Sequence, residues 1–145
     1  MSDALARAAE VLSGADEVAI ACHVNPDTDA LGATLGLSLF LRSRGVRTVC
    51  SFPNDPFELP RWAQELPGTE SLVEPSAFPN APAVMVTCDV ASMDRLAMLA
   101  RIPAPLRLTA AGTATLAQLV VAPPCAASTA WFRRTVSAID SHLAR

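Results

Sequence analysis

The sequence predicts an α/β protein built on a parallel β-sheet. Two short apolar runs rich in β-branched residues, residues 18–22 and 46–52, have the length of buried strands. Between them lies a longer apolar run, residues 31–41, which has the length of a helix. A strand, a crossover helix and a second strand in this order form a βαβ unit, in which the two strands run parallel. Residues 83–89 form a third apolar run and predict a further buried strand.

Signals at the ends of helices place the remaining elements. The crossover helix is predicted to begin at Thr28 or Asp29 and to end at Arg44, with Gly45 as its C-terminal stop. Its sequence is apolar nearly all round, which is typical of a helix buried between a sheet and other elements. Three further helices are predicted, over residues 3–12, over residues 61–66 and from about Ser92 onward.

The sequence changes character after Ala100. Prolines and stretches rich in alanine and threonine replace the regular βαβ pattern. Residues 116–121 have the pattern of a strand and residues 130–143 that of a helix, but no residues suited to chemistry cluster there. We therefore predict an α/β domain over residues 1–100, followed by a tail over residues 101–145 that packs poorly against it.

Composition and charge exclude several classes of function. The chain of 145 residues has a net charge of −3 and no basic run, so no binding along a long nucleic acid is expected. The N-terminus lacks the basic region and apolar core of a signal peptide, and no apolar run is long enough to span a membrane. The four cysteines lack zinc-site spacing and are typical of buried thiols in a reducing compartment. We therefore expect a cytoplasmic globular protein.

Residues suited to metal chemistry concentrate in the turn between the first strand and the crossover helix. His23, Asp27 and Asp29 fall within this turn, at the end of a strand where parallel sheets bind ligands. Imidazole with carboxylate suits divalent transition ions, and carboxylate-rich sets suit manganese or magnesium. Asp89 ends the third strand in the same way. If these two strands are neighbours, Asp89 faces the turn across the crevice.

The turn also has a purely structural interpretation. Pro26 fixes its own φ and biases Asn25 away from the α region, which stiffens the turn. In the structural interpretation, His23 is a buried histidine at a strand end, and Asp27 and Asp29 only cap the helix. Capping explains one aspartate but not the whole combination. We therefore favour a metal site.

The turn also resembles the first motif of a known superfamily. Residues 23–32, His-Val-Asn-Pro-Asp-Thr-Asp-Ala-Leu-Gly, resemble the first motif of the DHH phosphoesterases, and are most similar to its nano-RNase/pAp phosphatase branch. Thr28 stands where many members have glycine. Asp89, followed six residues later by Arg95 and Leu96, resembles the second motif. The resemblance extends over residues 1–100 and stops there.

The resemblance implies a fold, a reaction and a set of site residues. The fold is the three-layer α/β/α domain with a parallel sheet, and the substrates are short oligoribonucleotides or 3′-phosphoadenosine 5′-phosphate. Two Mn2+ ions serve as cofactor. His23 and Asp27 would hold one ion, Asp29 would hold the other and Asp89 would bridge them, which makes Asp29 and Asp89 the catalytic carboxylates. Arg95 would steady its loop or bind a substrate phosphate. A homodimer is a further expectation.

The sequence departs from the family pattern in its last 45 residues. The third motif, Asp-His-His, is absent, as are a fourth metal-binding aspartate and the C-terminal substrate domain. The only other histidine, His142, follows no predicted strand. We therefore expect a truncated and catalytically impaired phosphoesterase. The alternatives are a non-catalytic α/β module that binds a metal or a nucleotide, and a frameshifted fragment without function.

Overall fold

A parallel sheet organises the fold. The computed structural model describes residues 3–102 and 106–107, with side chains from residue 6 to residue 102. The helices and strands are, in chain order, α1 (Asp3–Ser13), β1 (Glu17–Cys22), α2 (Thr28–Ser43), β2 (Arg47–Ser51), β3 (Val84–Cys88) and β4 (Leu106–Arg107). Four 3-10 segments join them, Arg61–Ala63, Thr69–Ser71, Pro75–Ala77 and Met93–Arg101.

The four strands lie in the order β2-β1-β3-β4, and every neighbouring pair is parallel. In the centre, Ile20 of β1 is in register with Cys50 of β2 on one side and with Val86 of β3 on the other. This central strand is buried from its second residue to its last, which accounts for its continuous apolar sequence. The α/β class with a parallel sheet is thus confirmed.

Both faces of the sheet are covered, which gives three layers. Successive side chains of a strand point to opposite faces. Ile20 and Cys22 therefore belong to the core beneath α1 and α2, whereas Ala21 belongs to a second core on the other face. The second face is covered by the segment Met93–Arg101 together with the loop before β3.

Helix α2 begins and ends where the sequence predicts. Asp27 is its N-cap residue, and Arg44 is its C-cap residue. Gly45 follows with φ 84°, in the left-handed conformation that glycine adopts without steric cost. The backbone N–H of Gly45 donates to the carbonyl of Arg42, which closes the helix end.

The helix predicted from about Ser92 is instead a 3-10 segment with a break. Met93–Arg101 has non-helical dihedrals at Ala97, φ 43° and ψ −121°. Its two buried side chains, Leu96 and Leu99, stand three residues apart. Both leucines nevertheless belong to the core on the second face of the sheet. Likewise, the helix predicted over residues 61–66 is reduced to the 3-10 turn Arg61–Ala63.

Little of the predicted tail is described. Leu106 and Arg107 form β4 and pair with Val84 and Met85 of β3, so the sheet continues past Ala100. The predicted strand over residues 116–121 and helix over residues 130–143 lie outside the described residues. The domain boundary at residue 100 and the poor packing of the tail stay predictions.

Two expectations from composition can be compared with the described residues. Cys22, Cys50 and Cys88 are free and buried, as predicted, whereas Cys125 lies outside the described part of the chain. Among residues 3–102 and 106–107, no helix has both the length and the apolar character needed to cross a membrane.

Candidate metal centre

Three of the predicted site residues meet at the C-terminal edge of the sheet. His23 follows β1, Asp27 precedes α2 and Asp89 follows β3. One donor atom from each of them lies within 4.8 Å of the other two. His23 Nε2 is 3.5 Å from Oδ2 of Asp89 and 3.9 Å from Oδ1 of Asp27. The structure therefore brings together one imidazole nitrogen and two carboxylates.

Strand register and one unusual backbone conformation place Asp89 at this centre. Cys22 of β1 is in register with Cys88 of β3, so His23 and Asp89 leave the sheet side by side. Asp89 has φ 53°, in the left-handed region. Aspartate is among the few residues that visit this region, because its short polar side chain can form local hydrogen bonds. The chain turns sharply at the tip of β3 as a result.

Two of the three separations between the candidate ligands fit a single small cation. Two ligands that are each about 2.1 Å from one ion lie no more than about 4.2 Å apart. The separations of 3.5 Å and 3.9 Å from His23 Nε2 satisfy this limit. The His23 side chain is only 4% exposed, whereas those of Asp27 and Asp89 are 64% and 36% exposed. The centre is thus anchored in the core on the imidazole side and open to solvent on the carboxylate side.

The other ring nitrogen of His23 has two competing partners. Nδ1 lies 2.8 Å from the carbonyl oxygen of Val24 and 2.9 Å from Nη2 of Arg95. A protonated Nδ1 donates to the carbonyl and leaves the Nε2 lone pair for a cation. An unprotonated Nδ1 accepts from Arg95 and puts the proton on Nε2, toward Asp89. The two contacts belong to different tautomers, and only the first is suited to cation binding.

Arg95 is tied to the turn by its backbone as well. The backbone N–H of Val24 donates to the Arg95 carbonyl at 2.9 Å. Arg95 therefore contacts two consecutive residues of the turn, His23 through its guanidinium and Val24 through its backbone carbonyl. The structure places this arginine beside a candidate metal ligand, in a position from which its guanidinium acts on the orientation of the imidazole.

Asp27 combines the two interpretations that the sequence left open. Its Oδ1 accepts a hydrogen bond from the backbone N–H of Ala30 at 2.9 Å, which is the N-cap interaction of α2. The same carboxylate lies beside His23 Nε2. A carboxylate has two oxygens and about four acceptor positions, so capping leaves capacity for a cation.

Asp29 is not part of the cluster. It lies in the first turn of α2, two residues beyond the N-cap, and is half-buried. Among the described residues, the potential metal-ligand group consists of His23, Asp27 and Asp89. The role of Asp29 as ligand to a second ion stays a prediction.

Asn54 supports this turn, and no pattern in the sequence indicates it. The backbone N–H of Asn25 donates to Oδ1 of Asn54 at 2.8 Å, and Nδ2 of Asn54 donates to Oδ1 of Asn25 at 3.1 Å. Asn25 has φ 52°, so it is left-handed and not in the extended region that a following proline favours. The tolerance of asparagine for this region was a usable signal. Its hydrogen-bond partner Asn54 lies 29 residues away, and no sequence signal points to that contact.

The buried cysteines lie beneath the centre but are unsuited to bind the cation. Burial raises the pKa of the Cys22 thiol to about 12 and also raises the pKa of Cys88. A thiol must lose its proton to ligate a metal. At neutral pH these side chains therefore act as small apolar residues of the core.

Comparison with known proteins supports the fold. No protein-family model matches the chain. The chain is similar to the crystal structure of an exopolyphosphatase-related protein from Bacteroides fragilis, with a TM-score of 0.72 and 17% sequence identity. The match covers 96% of this chain and 44% of that protein, so the chain spans less than half of its length. At this identity the likeness shows a shared α/β fold.

Proposed function

We propose that this chain is a divalent-cation-dependent phosphoesterase of the nano-RNase/pAp phosphatase type, acting on short oligoribonucleotides or on 3′-phosphoadenosine 5′-phosphate. The observation that carries the proposal is the meeting of His23 Nε2 with the carboxylates of Asp27 and Asp89 at the sheet edge. These residues come from two separate motifs. Each of the two resembles a motif of the DHH phosphoesterases.

The donor set suits the proposed cofactor. Mixed nitrogen and oxygen ligands hold manganese, and His23, Asp27 and Asp89 would be its protein ligands. A bound divalent cation supplies a more acidic water and positive charge for the phosphate oxygens. The chain's own residues would fix the position of the cation: His23 from the core, Asp27 from the helix cap and Asp89 from the strand tip. The open carboxylate side would admit the phosphate.

A second candidate function is favoured by the number of ligand groups among the described residues. A two-ion hydrolase of this type needs further ligands around the second ion, and the described residues gather one group of three potential ligands, which suffices for one ion. A chain that holds one cation would serve as a metal- or nucleotide-binding module without rapid turnover. Both functions use the same three ligands, so they differ in catalysis and not in cation binding.

One experiment separates these functions. The purified chain is titrated with Mn2+ and assayed on a short oligoribonucleotide and on 3′-phosphoadenosine 5′-phosphate, with Asp89→Asn as the test variant and Asp94→Asn as the control. Mn2+-dependent hydrolysis that Asp89→Asn abolishes and Asp94→Asn retains would support the phosphoesterase. Mn2+ binding without any hydrolysis would favour the binding module. Absence of Mn2+ binding would contradict both.

A further inference from the structure

A pocket of about 370 Å³ includes Asn54, the residue that supports the turn of the metal centre. It is lined by residues 54–57, residues 74–76 and Met98, and is called here the Met98 pocket. Its volume falls in the range of about 300–1000 Å³ that is usual for small-molecule sites. None of the three candidate metal ligands lines this pocket.

Both walls of the Met98 pocket are connected to the metal centre. On one wall, the side chain of Asn54 hydrogen-bonds the backbone N–H of Asn25 at 2.8 Å. Asn25 is two residues from Asp27, a span of at most about 7 Å in an extended chain. On the other wall, Met98 follows three residues after Arg95, whose guanidinium contacts His23. These two links connect the pocket to the turn that carries Asp27 and to the arginine beside His23.

The polar groups of the pocket are unsuited to phosphate. The described residues that line it include two carboxylates, Asp55 and Glu74, and no arginine. The hydroxyl of Ser76 donates to Oε2 of Glu74 at 3.4 Å, so the most evident donor already faces a carboxylate. Like charges repel, and a second phosphate group or a polyphosphate chain would be disfavoured here. Carboxylates accept hydrogen bonds, so the pocket suits a neutral group that donates them.

The remaining walls of the pocket are apolar and suit a flat ring. Phe57 stacks on the buried ring of Phe52, with centroids 4.6 Å apart, which fixes its orientation. Met98 is 49% exposed, although it is a large apolar residue. A thioether packs favourably on aromatic rings. Nucleobases combine an aromatic face with a polar edge, and stacking on a protein side chain is worth about 1–3 kcal/mol per base.

We propose that the Met98 pocket binds the heterocyclic base of the nucleotide whose phosphate reaches the metal centre, and that it prefers bases with an exocyclic amino group, such as adenine and cytosine, to uracil. This inference rests on the proposed function and adds a recognition element to it. Cytosine presents an exocyclic amino group to Asp55 and Glu74, whereas uracil presents a carbonyl oxygen at the same position. The two bases are alike in size and stacking surface. The preference would therefore come from the carboxylates.

Methyl resonances of methionine test the proposal without using metal or turnover. The chain carrying 13C-methyl methionine is titrated with cytidine, uridine, ribose 5-phosphate and tripolyphosphate in the absence of divalent cations. Cytidine should shift the Met98 resonance and leave that of Met93, an exposed methionine outside the pocket, unchanged. Ribose 5-phosphate and tripolyphosphate should leave Met98 unchanged. Cytidine should bind about fivefold or more tightly than uridine, as expected for one well-placed base contact.

A matched pair of variants tests the origin of the preference. Glu74→Gln should reduce the ratio of cytidine to uridine affinity, whereas Glu65→Gln, an exposed glutamate outside the pocket, should leave it unchanged. A Met98 resonance that no nucleoside shifts, or that tripolyphosphate shifts as much as cytidine, would overturn the proposal. Since these readouts need no cation, a failed hydrolysis assay would contradict the proposed function while leaving a Met98 shift by cytidine intact.

Discussion

Cys22 and Cys88 lie opposite each other at the ends of two neighbouring parallel strands, and this pairing places His23 beside Asp89. Each cysteine is followed directly by a residue of the metal centre, so the strand register fixes the separation of 3.5 Å between Nε2 and Oδ2. A slip of one residue in either strand would move every side chain of that strand to the other face. The buried core on both sides of β1 therefore protects the geometry of the centre.

The two functions of Asp27 can be separated by substitution. Asp27→Ala removes both the helix cap and a cation ligand, so it should lower the free energy of unfolding by about 0.5–2 kcal/mol and weaken Mn2+ binding. Asp27→Ser retains a side-chain oxygen that caps well but removes the carboxylate. Asp27→Ser should fold with nearly wild-type stability. Its Mn2+ binding should be as weak as that of Asp27→Ala. Chemical denaturation and Mn2+ titration measure the two effects. Wild-type Mn2+ affinity in Asp27→Ser would show that Asp27 is only a cap.

The tautomer of His23 should report cation binding. Zn2+, used as a diamagnetic probe, requires the Nε2 lone pair, so it should leave the proton on Nδ1, where it donates to the Val24 carbonyl. Arg95→Leu should favour the same tautomer without metal, because the competing donor to Nδ1 is gone. Imidazole 15N chemical shifts measure this, and His142→Ala assigns the two histidines. A Zn2+-loaded chain that keeps its proton on Nε2 would contradict the assignment of His23 as a ligand.

The fold and part of the candidate site could be predicted because their signals are local. Short apolar runs indicate the strands, and a helix between the first two requires them to be parallel. Once β1 and β3 are neighbours, carboxylates at their ends must lie at one edge of the sheet. The meeting of His23, Asp27 and Asp89 could therefore be predicted from the sequence, whereas the role of Asp29 at a second ion stays a prediction.

The remaining features depend on contacts between residues far apart in the chain. The Arg95 guanidinium lies against a histidine 72 residues earlier, and the Asn25–Asn54 pair spans 29 residues. Neither spacing has a periodic pattern that a sequence reveals. The left-handed backbone of Asp89 was equally hidden, since aspartate only tolerates that conformation and does not require it. The break at Ala97 gave no signal at all, because alanine strongly disfavours a positive φ.

The left-handed conformation of Asn25 predicts a specific order of substitutions. Asn25→Gly should cost little through the backbone, because glycine adopts φ 52° freely, and the loss should reflect the side-chain bond to Asn54. Asn25→Val should cost about 1–2 kcal/mol more, since its Cβ clashes with the backbone in this region. Urea denaturation gives both values. Equal losses for glycine and valine would contradict a positive φ at this residue.

Alkaline pH should destabilise the chain through its buried thiols. Burial raises the pKa of Cys22 to about 12 and raises those of Cys50 and Cys88, so the folded state keeps protons that the unfolded state has released. Between about pH 8.5, the ordinary cysteine value, and the raised values, the unfolded state binds fewer protons. The free energy of unfolding should therefore fall with rising pH, by about 1.4 kcal/mol per pH unit for each such thiol.

The sequence makes this alkaline window unusually easy to interpret. It contains no lysine and no tyrosine, and arginine does not titrate below about pH 12. Denaturation curves of the wild type and Cys22→Ser across this window measure the slope. Cys22→Ser lowers the free energy of unfolding by the same amount at every pH, because it disturbs core packing. The fall of this free energy with rising pH should be shallower in the variant, because serine does not titrate. An unchanged slope would contradict a raised pKa for Cys22.

The last prediction is that this chain by itself binds one Mn2+ ion tightly and turns over substrate slowly. The described residues gather one group of potential ligands, His23, Asp27 and Asp89, which suffices for a single ion. A two-ion hydrolase clamps both the attacking and the leaving oxygen, so a single ion leaves part of the developing charge without stabilisation. Loss of one comparable electrostatic element commonly costs about 100–1000-fold in rate.

Mn2+ stoichiometry by calorimetry, followed by turnover at saturating Mn2+, tests both parts of this prediction. One ion per chain and a rate well below the usual range of about 1–1000 per second are expected for the oligoribonucleotide and for 3′-phosphoadenosine 5′-phosphate. Asp29→Asn should then leave the stoichiometry unchanged, whereas Asp89→Asn should abolish binding. Two ions per chain, with turnover in the usual range that Asp29→Asn removes, would show that Asp29 holds a second ion after all. The chain would then complete a two-ion site with ligands other than the three described here.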